Sequence, residues 1–401
     1  MMKILITTQS MDIGGVERSL LGLFEAYEGS EIEIDLFLMK HGGEFEQYIP
    51  DWIRILPEDP VCASLTTPGL ETLKKGHIVL LAKRFIAKIK AGHYVRKNNL
   101  AENTVYLSYS HRQLESRFPH LGADQEYDLA ISFLGPHYLV ADCVDAKKKV
   151  AWIHTDYSAI GLDREEDLRI YRKFDYLIGV SQGVCDSFSK IFPEIKGKLR
   201  RIENCLPKKQ ITAWAAEVPV GFDEDEKIRL LSIGRFCYAK NFENIPTVCK
   251  ILEKKGIDFH WYLIGYGGME ELIRNRIREE GMEDRITILG KKSNPYPYIR
   301  SCTAYIQPSR YEGCSVAVRE AQLLGKPVII SKFPTSKYQV DEGVDGIILP
   351  QDIHEFAVGL AEILSDPDLL DLFRKNCLKN DYSNYQEADT VLSLIADGEE
   401  K

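Results

Sequence analysis

The chain has 401 residues, of which 44% are hydrophobic and 28% are charged. This composition is typical of a globular protein with room for two domains. The net charge of −9 argues against general binding to nucleic acid.

Cysteine usage and hydropathy exclude further classes of protein. The nine cysteines form no C-x-x-C pair, so the sequence predicts neither a disulfide framework nor a zinc knuckle. A reducing cytoplasm is the simplest interpretation. The N-terminus MMKILITTQS lacks the apolar core of a secretory signal, and no apolar run is long enough to span a bilayer.

The first forty residues alternate between strand and helix patterns. They read, in order, as an apolar run (KILITT), a turn-rich loop (QSMDIGG), a helical stretch (VERSLLGLFEAY) and a second apolar run (IEIDLFLM). This order predicts a βαβ unit and therefore a parallel sheet. Four more strand-like segments follow: YDLAISFLG, KKVAWIH, FDYLIGVS and LRRIENCL.

The strand–helix pattern stops at residues 207–226 and then restarts. That stretch, PKKQITAWAAEVPVGFDEDE, is acidic, contains proline and lacks periodicity, so we predict a linker. We expect an α/β fold of two doubly wound Rossmann-like domains facing each other across a cleft. The predicted parts are an N-terminal Rossmann-like domain (1–206), the linker (207–226), a C-terminal Rossmann-like domain (227–382) and a helical tail (383–401). Ligands of such sheets bind beyond the carboxyl ends of the strands, so the cleft is the expected site.

Two candidate features lie at strand ends in the first half. Gly14 and Gly15 follow the first strand and precede a helix, where free backbone N–H groups can meet a ligand. A plain βα turn would look the same. His154 ends the strand KKVAWIH and could hydrogen-bond a sugar, although a structural histidine is equally compatible with the pattern.

Two cations and a glycine loop follow strands in the second half. Arg235 comes directly after LLSIG and Lys240 five residues later, an arrangement that suits a diphosphate, although a solvated surface pair would give the same pattern. Gly265, in LIGYGGMEEL, repeats the strand–glycine–helix order. The first loop lacks the G-x-G-x-x-G spacing of Rossmann dehydrogenases, and the chain contains no phosphate-binding P-loop motif.

The segment SRYEGCSVAVREAQLLGKPV holds two glutamates, Glu312 and Glu320, eight residues apart. Ser315 is a plausible N-cap of the helix that contains Glu320, and the dipole at its N-terminus would favour an anion. Glu312 then lies at the mouth and Glu320 roughly 8 Å into the helix. The alternative is a solvated Glu320 beside Arg319.

Taken together, these features resemble the retaining glycosyltransferases of family 4, the group 1 glycosyl transferases, which have the GT-B fold and include enzymes of bacterial surface-polysaccharide synthesis. The resemblance is strongest over residues 228–350. It rests on GGVERSLL, AWIHTDY, GVS, SIGRFCYAKNF, LIGYGGMEEL, ITILGK, EGVDGIILP and PSRYEGCSVAVREAQLLGKPVI.

The resemblance implies that residues 1–206 bind the acceptor and residues 227–382 the nucleotide-sugar, and it implies roles for single residues. Glu320 should bind the ribose of a nucleotide-sugar donor, Arg235 and Lys240 its diphosphate, and Glu312 and His154 the transferred sugar. The implied catalytic set is Glu312, His154, Arg235 and Lys240, and the implied donor-binding set is Gly15, Arg235, Lys240, Gly265, Gly313, Cys314, Ser315, Val316 and Glu320.

The family usually needs no divalent metal, so the resemblance implies no metal and no cofactor beyond the nucleotide-sugar, with a UDP-sugar favoured on family frequency. In agreement, no D-x-D occurs at a strand end, since Asp223 and Asp225 lie in the predicted linker. The resemblance also implies retention of anomeric configuration, by front-face attack or an ion pair. The sequence departs from the family by lacking Asn-Gly in IENCLP and by having Cys314-Ser315 where Phe-Gly is usual.

Residues between Thr72 and Leu100 include eight Lys or Arg and no acidic residue, so the remainder carries −9 − 8 = −17. Cations and apolar residues alternate there at helical spacing, as in an interfacial helix. An ordinary amphipathic helix packed on the first domain would show the same pattern. We predict that residues 74–97 bind an anionic membrane at the inner face of the plasma membrane, where the acceptor would be a lipid-linked oligosaccharide or glycan.

Two other classes share the fold: a non-catalytic partner subunit that binds nucleotide-sugar, and an epimerase or phosphorylase. The presence of Arg235, Lys240, Glu312 and Glu320 together favours a transferase.

Overall fold

A computed structural model describes residues 1–74, 77–100, 105–222 and 227–396. The chain divides into two compact units. Unit 1 comprises Met1–Cys205 and Tyr385–Lys401, and unit 2 comprises Leu206–Asn384.

Unit 1 is built on a seven-stranded parallel sheet with the strand order β3-β2-β1-β4-β5-β6-β7. Because the order reverses between β1 and β4, the sheet has its switch point there. The strands are β1 (Met2–Thr8), β2 (Ile32–Leu38), β3 (Arg54–Ile55), β4 (Tyr127–Ser132), β5 (Ala146–Ile153), β6 (Tyr176–Gly179) and β7 (Leu199–Arg201).

Eight helices of unit 1 connect these strands or follow them. They are α1 (Gly15–Ala26), α2 (Pro60–Thr66), α3 (Gly69–Lys74), α4 (Ile78–Lys97), α5 (Tyr106–Leu114), α6 (Tyr138–Cys143), α7 (Arg164–Tyr171) and α8 (Gln182–Ile191).

Unit 2 repeats the same order with six parallel strands, β10-β9-β8-β11-β12-β13, and reverses between β8 and β11. The strands are β8 (Ile228–Ile233), β9 (Phe259–Ile264), β10 (Ile286–Gly290), β11 (Ala304–Gln307), β12 (Val328–Ser331) and β13 (Gly346–Leu349). The helices are α9 (Lys208–Trp214), α10 (Ile245–Lys254), α11 (Glu270–Glu280), α12 (Tyr296–Ser301), α13 (Val316–Leu323), α14 (Ile353–Leu364) and α15 (Pro367–Lys379). The last helix, α16 (Gln386–Ala396), belongs to unit 1.

Both faces of the unit 2 sheet are covered, which explains why its strands read as continuous apolar runs. Successive side chains of a strand point to opposite faces. Accordingly, Trp261 belongs to one buried apolar cluster and the next residue, Tyr262, to the other, and Leu230 and Leu231 divide in the same way. The sheet is therefore a rigid base for the loops at its edges.

The predicted α/β fold of doubly wound units is confirmed, with one strand, β3, that the sequence analysis missed because it has only two residues. The basic segment forms α4, as its periodicity predicts. The structure differs from the prediction in residues 207–226, which the sequence predicts to be an irregular linker. Part of this stretch forms helix α9, and its Ile211 lies in the unit 2 core with no exposed surface. Seven residues are too few to show helical periodicity. Lys75, Asp223 and Asp225 lie outside the described residues.

The tail helix α16 packs within unit 1. The hydroxyl of Tyr27, in the residue after α1, donates a 3.0 Å hydrogen bond to the carbonyl of Ala388. Among the described residues, every helix is too short or too polar to cross a membrane.

Candidate functional site

The loops after β8 and β11 bring Lys240 and Glu312 together at the switch point of unit 2. Lys240 Nζ lies 2.5 Å from Glu312 Oε1, and the two side chains are only 17% and 12% exposed. Ligands of doubly wound sheets bind where the strand order reverses. A largely desolvated ion pair therefore occupies the place where this fold binds ligands.

Glu312 is held in one orientation by its neighbours. Its Oε1 also accepts hydrogen bonds from Ser309 Oγ at 2.6 Å and from Gln307 Nε2 at 3.5 Å, and its backbone carbonyl accepts one from Thr335 Oγ1 at 2.7 Å. No described residue donates to Oε2. One carboxylate oxygen is thus fixed by the protein while the other remains available to a ligand.

The two predicted cations of unit 2 differ in their surroundings. Arg235 is exposed, and its side chain makes no hydrogen bond or ion pair with any described residue. Lys240, in contrast, is compensated by Glu312. A third cation, Arg310, pairs with Glu243 at 2.7 Å and lies over the Tyr238 ring at 4.0 Å. Arg310 therefore joins the loop after β11 to the loop after β8.

The N-terminus of α13 lies beside this pair in the same loop. Ser315 is 3% exposed and occupies the N-cap position, but its side chain makes no capping hydrogen bond. Within the described part of the chain, the backbone N–H groups of Ser315 and Val316 donate to no acceptor, while Gly313 and Cys314 are half-buried in the preceding turn. Two amides at a helix N-terminus can bind an anion.

Glu320 has no exposed surface, and its Oε1 accepts a 2.9 Å hydrogen bond from the hydroxyl of Tyr296 in α12. This excludes the alternative of a solvated Glu320 beside Arg319. The carboxylate therefore lies on the buried side of α13 beside Tyr296, and its contact with a ribose stays a prediction.

Gly265 fixes the position of the Arg235 loop. Its φ of +153° is unfavourable for residues with a side chain, and a Cβ there would lie 1.9 Å from the carbonyl oxygen of Gly234. The loop after β9 thus packs directly on the backbone that precedes Arg235. In this structure Gly265 serves loop packing, and a donor contact stays a prediction.

Unit 1 contains a cavity of about 290 Å³ at the carboxyl edge of its sheet. It is lined from the loops after β1, β4 and β5, including Gln9, His137 and His154. The amide of Gln9 donates to the carbonyl of Gly135, which joins the loops on either side of the switch point. The cavity therefore lies at the ligand-binding position of this fold.

His154 presents a neutral imidazole to the cavity. Its Nε2 lies 2.8 Å from the carbonyl oxygen of Phe133, and a carbonyl can only accept, so Nε2 carries the proton. Burial lowers the pKa of His154 to about 3. Nδ1 is then a hydrogen-bond acceptor, suited to a hydroxyl group.

Comparison with known proteins shows which family unit 2 resembles. Residues 216–380, almost the whole of unit 2, match the family described as Glycosyl transferases group 1. Unit 2 therefore resembles the group 1 glycosyltransferases in sequence.

Two curated relatives illustrate the match. An uncharacterized glycosyltransferase of Haemophilus influenzae is 28% identical over 146 residues, covering 36% of this chain and 41% of that protein. The UDP-Gal:alpha-D-GlcNAc-diphosphoundecaprenol alpha-1,3-galactosyltransferase of Escherichia coli is 24% identical over 172 residues, covering 41% and 44%. The chain thus spans less than half the length of either relative.

Among solved structures, Anabaena Alr3699/HepE in complex with UDP and glucose gives a TM-score of 0.69 at 17% identity, covering 98% of this chain and 100% of that one. At this identity the likeness shows the fold alone, and it confirms the predicted GT-B class.

The predicted ligand contact at Gly15 has an unexpected surrounding. Gly15 begins α1 after the N-cap Gly14, but Glu17 folds back so that its Oε2 would lie 2.2 Å from a Cβ at Gly14. A glutamate at the third position of the helix can reach back towards the backbone of the N-cap residue. The carboxylate of Glu17 therefore lies close to Gly14, and a donor contact at Gly15 stays a prediction.

Several residues around the two sites were not found from the sequence. Ser309 could have been suspected because it ends the strand-like segment TAYIQPS. Nothing in the sequence around Tyr296 indicates a contact with Glu320. In the unit 1 cavity, burial raises the pKa of Asp167 to about 7, and Ser108 Oγ lies 3.2 Å from its carboxylate. Asp167 sits in a run of charges in α7 that reads as a solvated helix face.

We expect Gly265→Ala to destabilise the protein by more than about 2 kcal/mol, because the substitution combines a strained φ with a backbone collision. Gly268→Ala is the matched control, since a Cβ there meets nothing within 4 Å, and it should change stability by less than about 0.5 kcal/mol. Urea unfolding of both variants measures the difference. Equal stability of the two variants would contradict this account of Gly265.

The pKa of His154 predicts the pH dependence of stability. The unfolded state, with a histidine pKa near 6.5, takes up the proton before the folded state does. The contribution of neutral His154 to the free energy of unfolding is complete above about pH 6.5. It is lost as the pH falls towards 3, by up to about 1.4 kcal/mol per pH unit. The stability difference between wild type and His154→Gln, from urea unfolding, should shrink as the pH falls from 7 to 4. Parallel pH profiles would show that the pKa is not lowered.

Proposed function

We propose that the chain transfers a hexose from a nucleotide-sugar, with a UDP-sugar as the favoured donor, to a lipid-linked or polysaccharide acceptor. We further propose that transfer retains the anomeric configuration and needs no divalent metal. The observation that carries this proposal is the Lys240–Glu312 pair at the switch point of unit 2, beside the N-terminus of α13.

The donor's diphosphate fits the positive groups of unit 2. Lys240 has three N–H donors and spends one on Glu312, so two remain for phosphate oxygens. Arg235 supplies a second, exposed cation, and the N–H groups of Ser315 and Val316 add neutral donors. Stabilising the charge that develops on the leaving diphosphate is a large catalytic term, and here protein groups would supply it.

The two glutamates would bind the parts of the donor on either side of the diphosphate. Glu312 Oε2 is placed to accept a hydrogen bond from a sugar hydroxyl while its Oε1 stays bonded to Lys240 and Ser309. Glu320, buried beside Tyr296, would accept from ribose hydroxyls. Carboxylates suit both tasks because they only accept hydrogen bonds when ionised.

A lipid-linked acceptor is supported by the faces of α4. Its buried face consists of Leu80, Ala87 and Ala91, whereas Ile78, Phe85 and Ile89 project from the opposite face and are 65%, 64% and 58% exposed. These exposed residues follow the i, i+7, i+11 spacing of a single helix face. Exposed apolar residues of this size on one helix indicate a binding surface.

Lysines flank this apolar face, which favours an anionic membrane over an apolar protein partner. Lys83 and Lys90 lie on one side and Lys88 on the other at 100° per residue, and each would contribute about 1 kcal/mol near an anionic surface. Arg84 instead points inwards, where it donates to Tyr106 at 3.2 Å and Thr72 at 3.0 Å. The E. coli relative is named for an acceptor linked to diphosphoundecaprenol, which is consistent with a membrane-bound acceptor.

Donor binding is tested by thermal shift with UDP, GDP and ADP, each alone and as a sugar conjugate. We expect a UDP compound at about a hundredfold excess over its Kd to raise the Tm by roughly 5 °C or more. Lys240→Met should abolish the shift, while Lys254→Met, an exposed lysine of unit 2, should keep it. Absence of a shift with every nucleotide, or an unchanged shift in Lys240→Met, would refute the proposed donor site.

Turnover is tested with the stabilising sugar nucleotide and a diphosphopolyprenyl-linked sugar acceptor. Glu312→Gln and Lys240→Met should lower kcat at least about a hundredfold. Nucleotide binding without transfer by the wild type would indicate a partner subunit, and conversion of the donor without release of nucleotide would indicate an epimerase.

Membrane binding is tested by flotation with vesicles that contain phosphatidylglycerol. The triple variant Lys83, Lys88 and Lys90→Gln should lose most flotation, whereas the control Lys190, Lys196 and Lys254→Gln, exposed lysines elsewhere, should float as the wild type does. Equal flotation of both variants, or equal binding to neutral vesicles, would rule out the electrostatic surface.

A further inference from the structure

Unit 1 contains a buried histidine whose ring nitrogens have no hydrogen-bond partner. His111, in α5, has no exposed surface, and neither Nδ1 nor Nε2 is hydrogen-bonded to any described residue. The ring is fixed in place, because it stacks on Tyr138 with 3.5 Å between the ring centroids and 9° between their planes. An unsatisfied buried polar group of this kind costs roughly 1–3 kcal/mol unless something binds it.

Two carboxylates surround this histidine. Asp142 Oδ2 in α6 lies 3.7 Å from His111 Nε2, and this oxygen is also buried and accepts no hydrogen bond from the described residues. Glu115 follows His111 by four residues, a spacing that places both side chains on one face of a helical stretch. Ligand atoms of all three residues lie within 4.8 Å of one another.

We propose that His111, Asp142 and Glu115 bind a divalent transition-metal ion, with Zn²⁺ preferred. Zinc lies 2.0–2.2 Å from nitrogen and oxygen ligands in a tetrahedron, so two of its ligand atoms are about 3.4 Å apart. The His111–Asp142 separation of 3.7 Å is close to this value, and the exposed Glu115 carboxylate, whose ligand atom lies within 4.8 Å of the other two, has to move inwards by roughly 1 Å or more. Three protein ligands leave one position for water.

The surrounding charges are compatible with a cation. Lys173 donates to Asp142 Oδ1, the other oxygen of that carboxylate, and so acts as an outer group that orients a metal ligand. The neighbouring Arg169 is paired with Glu166 at 2.9 Å. Glu115 and Asp142 against Lys173 give a net charge of −1, which attracts a cation. Glu166, next to Arg169, also pairs with Arg112 at 3.5 Å.

The ion would have a structural role in unit 1. It would join α5 to α6, and Tyr138, which stacks on His111, lines the unit 1 cavity. Metal binding would therefore hold the wall of that cavity. The proposal is separate from the donor site, where the expected independence from metal is unaffected.

The experiment is zinc titration of the full chain after dialysis against EDTA, followed by calorimetry, with metal content checked by mass spectrometry. We expect one ion per chain and a Tm increase of roughly 5–10 °C at a hundredfold excess over Kd. His111→Gln or Asp142→Asn should weaken binding at least about a hundredfold, and Glu115→Gln about tenfold or more.

His120→Gln is the matched control, because His120 is a partly exposed histidine of the same unit beside Asp145, and it should bind zinc as the wild type does. Glu115→Gln changes an exposed residue, so it keeps the test valid if His111→Gln fails to fold. Absence of saturable binding in the wild type, or unchanged affinity in Glu115→Gln and Asp142→Asn, would overturn the proposal and leave a bridging water as the occupant.

Discussion

The reversal of strand order in a parallel sheet is the constraint on which both candidate sites depend. All strands end at the same edge, and the connections leave in opposite directions on either side of the switch point, so neighbouring loops separate there. In unit 1 a hydrogen bond from Gln9 to Gly135 spans this gap. In unit 2 the ion pair between Lys240 and Glu312 spans it. The same topology thus places polar side chains at the same position of two different sheets.

Loops at such an edge bind well only if something fixes them. In unit 2 this is done by close contacts of the loops themselves: Gly265 packs on the backbone of Gly234, and Arg310 joins its own loop to Glu243. Ser309 and Gln307 come directly from the end of β11 and orient Glu312. These hydrogen bonds to the end of a buried strand hold the Glu312 carboxylate in one orientation. The side chain therefore loses little conformational entropy when a ligand binds.

The sequence predicts those features that depend on local order. The strands can be recognised in the sequence as apolar runs because both faces of each sheet are buried. Lys240 and Glu312 can be recognised as charged residues directly after strands. The sequence does not predict that these two residues pair across 72 positions, since the pairing depends on which strands become neighbours. The hydrogen bond of Tyr296 to Glu320 crosses between two helices.

Other features were hidden for different reasons. Helix α9 was missed because seven residues are too few to show periodicity, although Ile211 is fully buried. The cluster around His111 was missed because its third member, Asp142, is brought in by α6 from a distant part of the chain. Side-chain pairs that join separate elements depend on the tertiary structure, which local patterns do not specify.

The energetics of the Lys240–Glu312 pair point to binding and not to stability. Removing two charges from water costs several kcal/mol per ion. The attraction between the two charges often only offsets this cost. At 17% and 12% exposure these side chains have lost most of their hydration. Apolar residues of similar volume would stabilise unit 2 equally well. A ligand with both negative charge and hydroxyl groups changes this balance, because it supplies partners for the remaining ammonium protons and for Glu312 Oε2. The free-energy cost of removing the pair from water therefore belongs to folding and not to ligand binding. A preorganised charged site has this property.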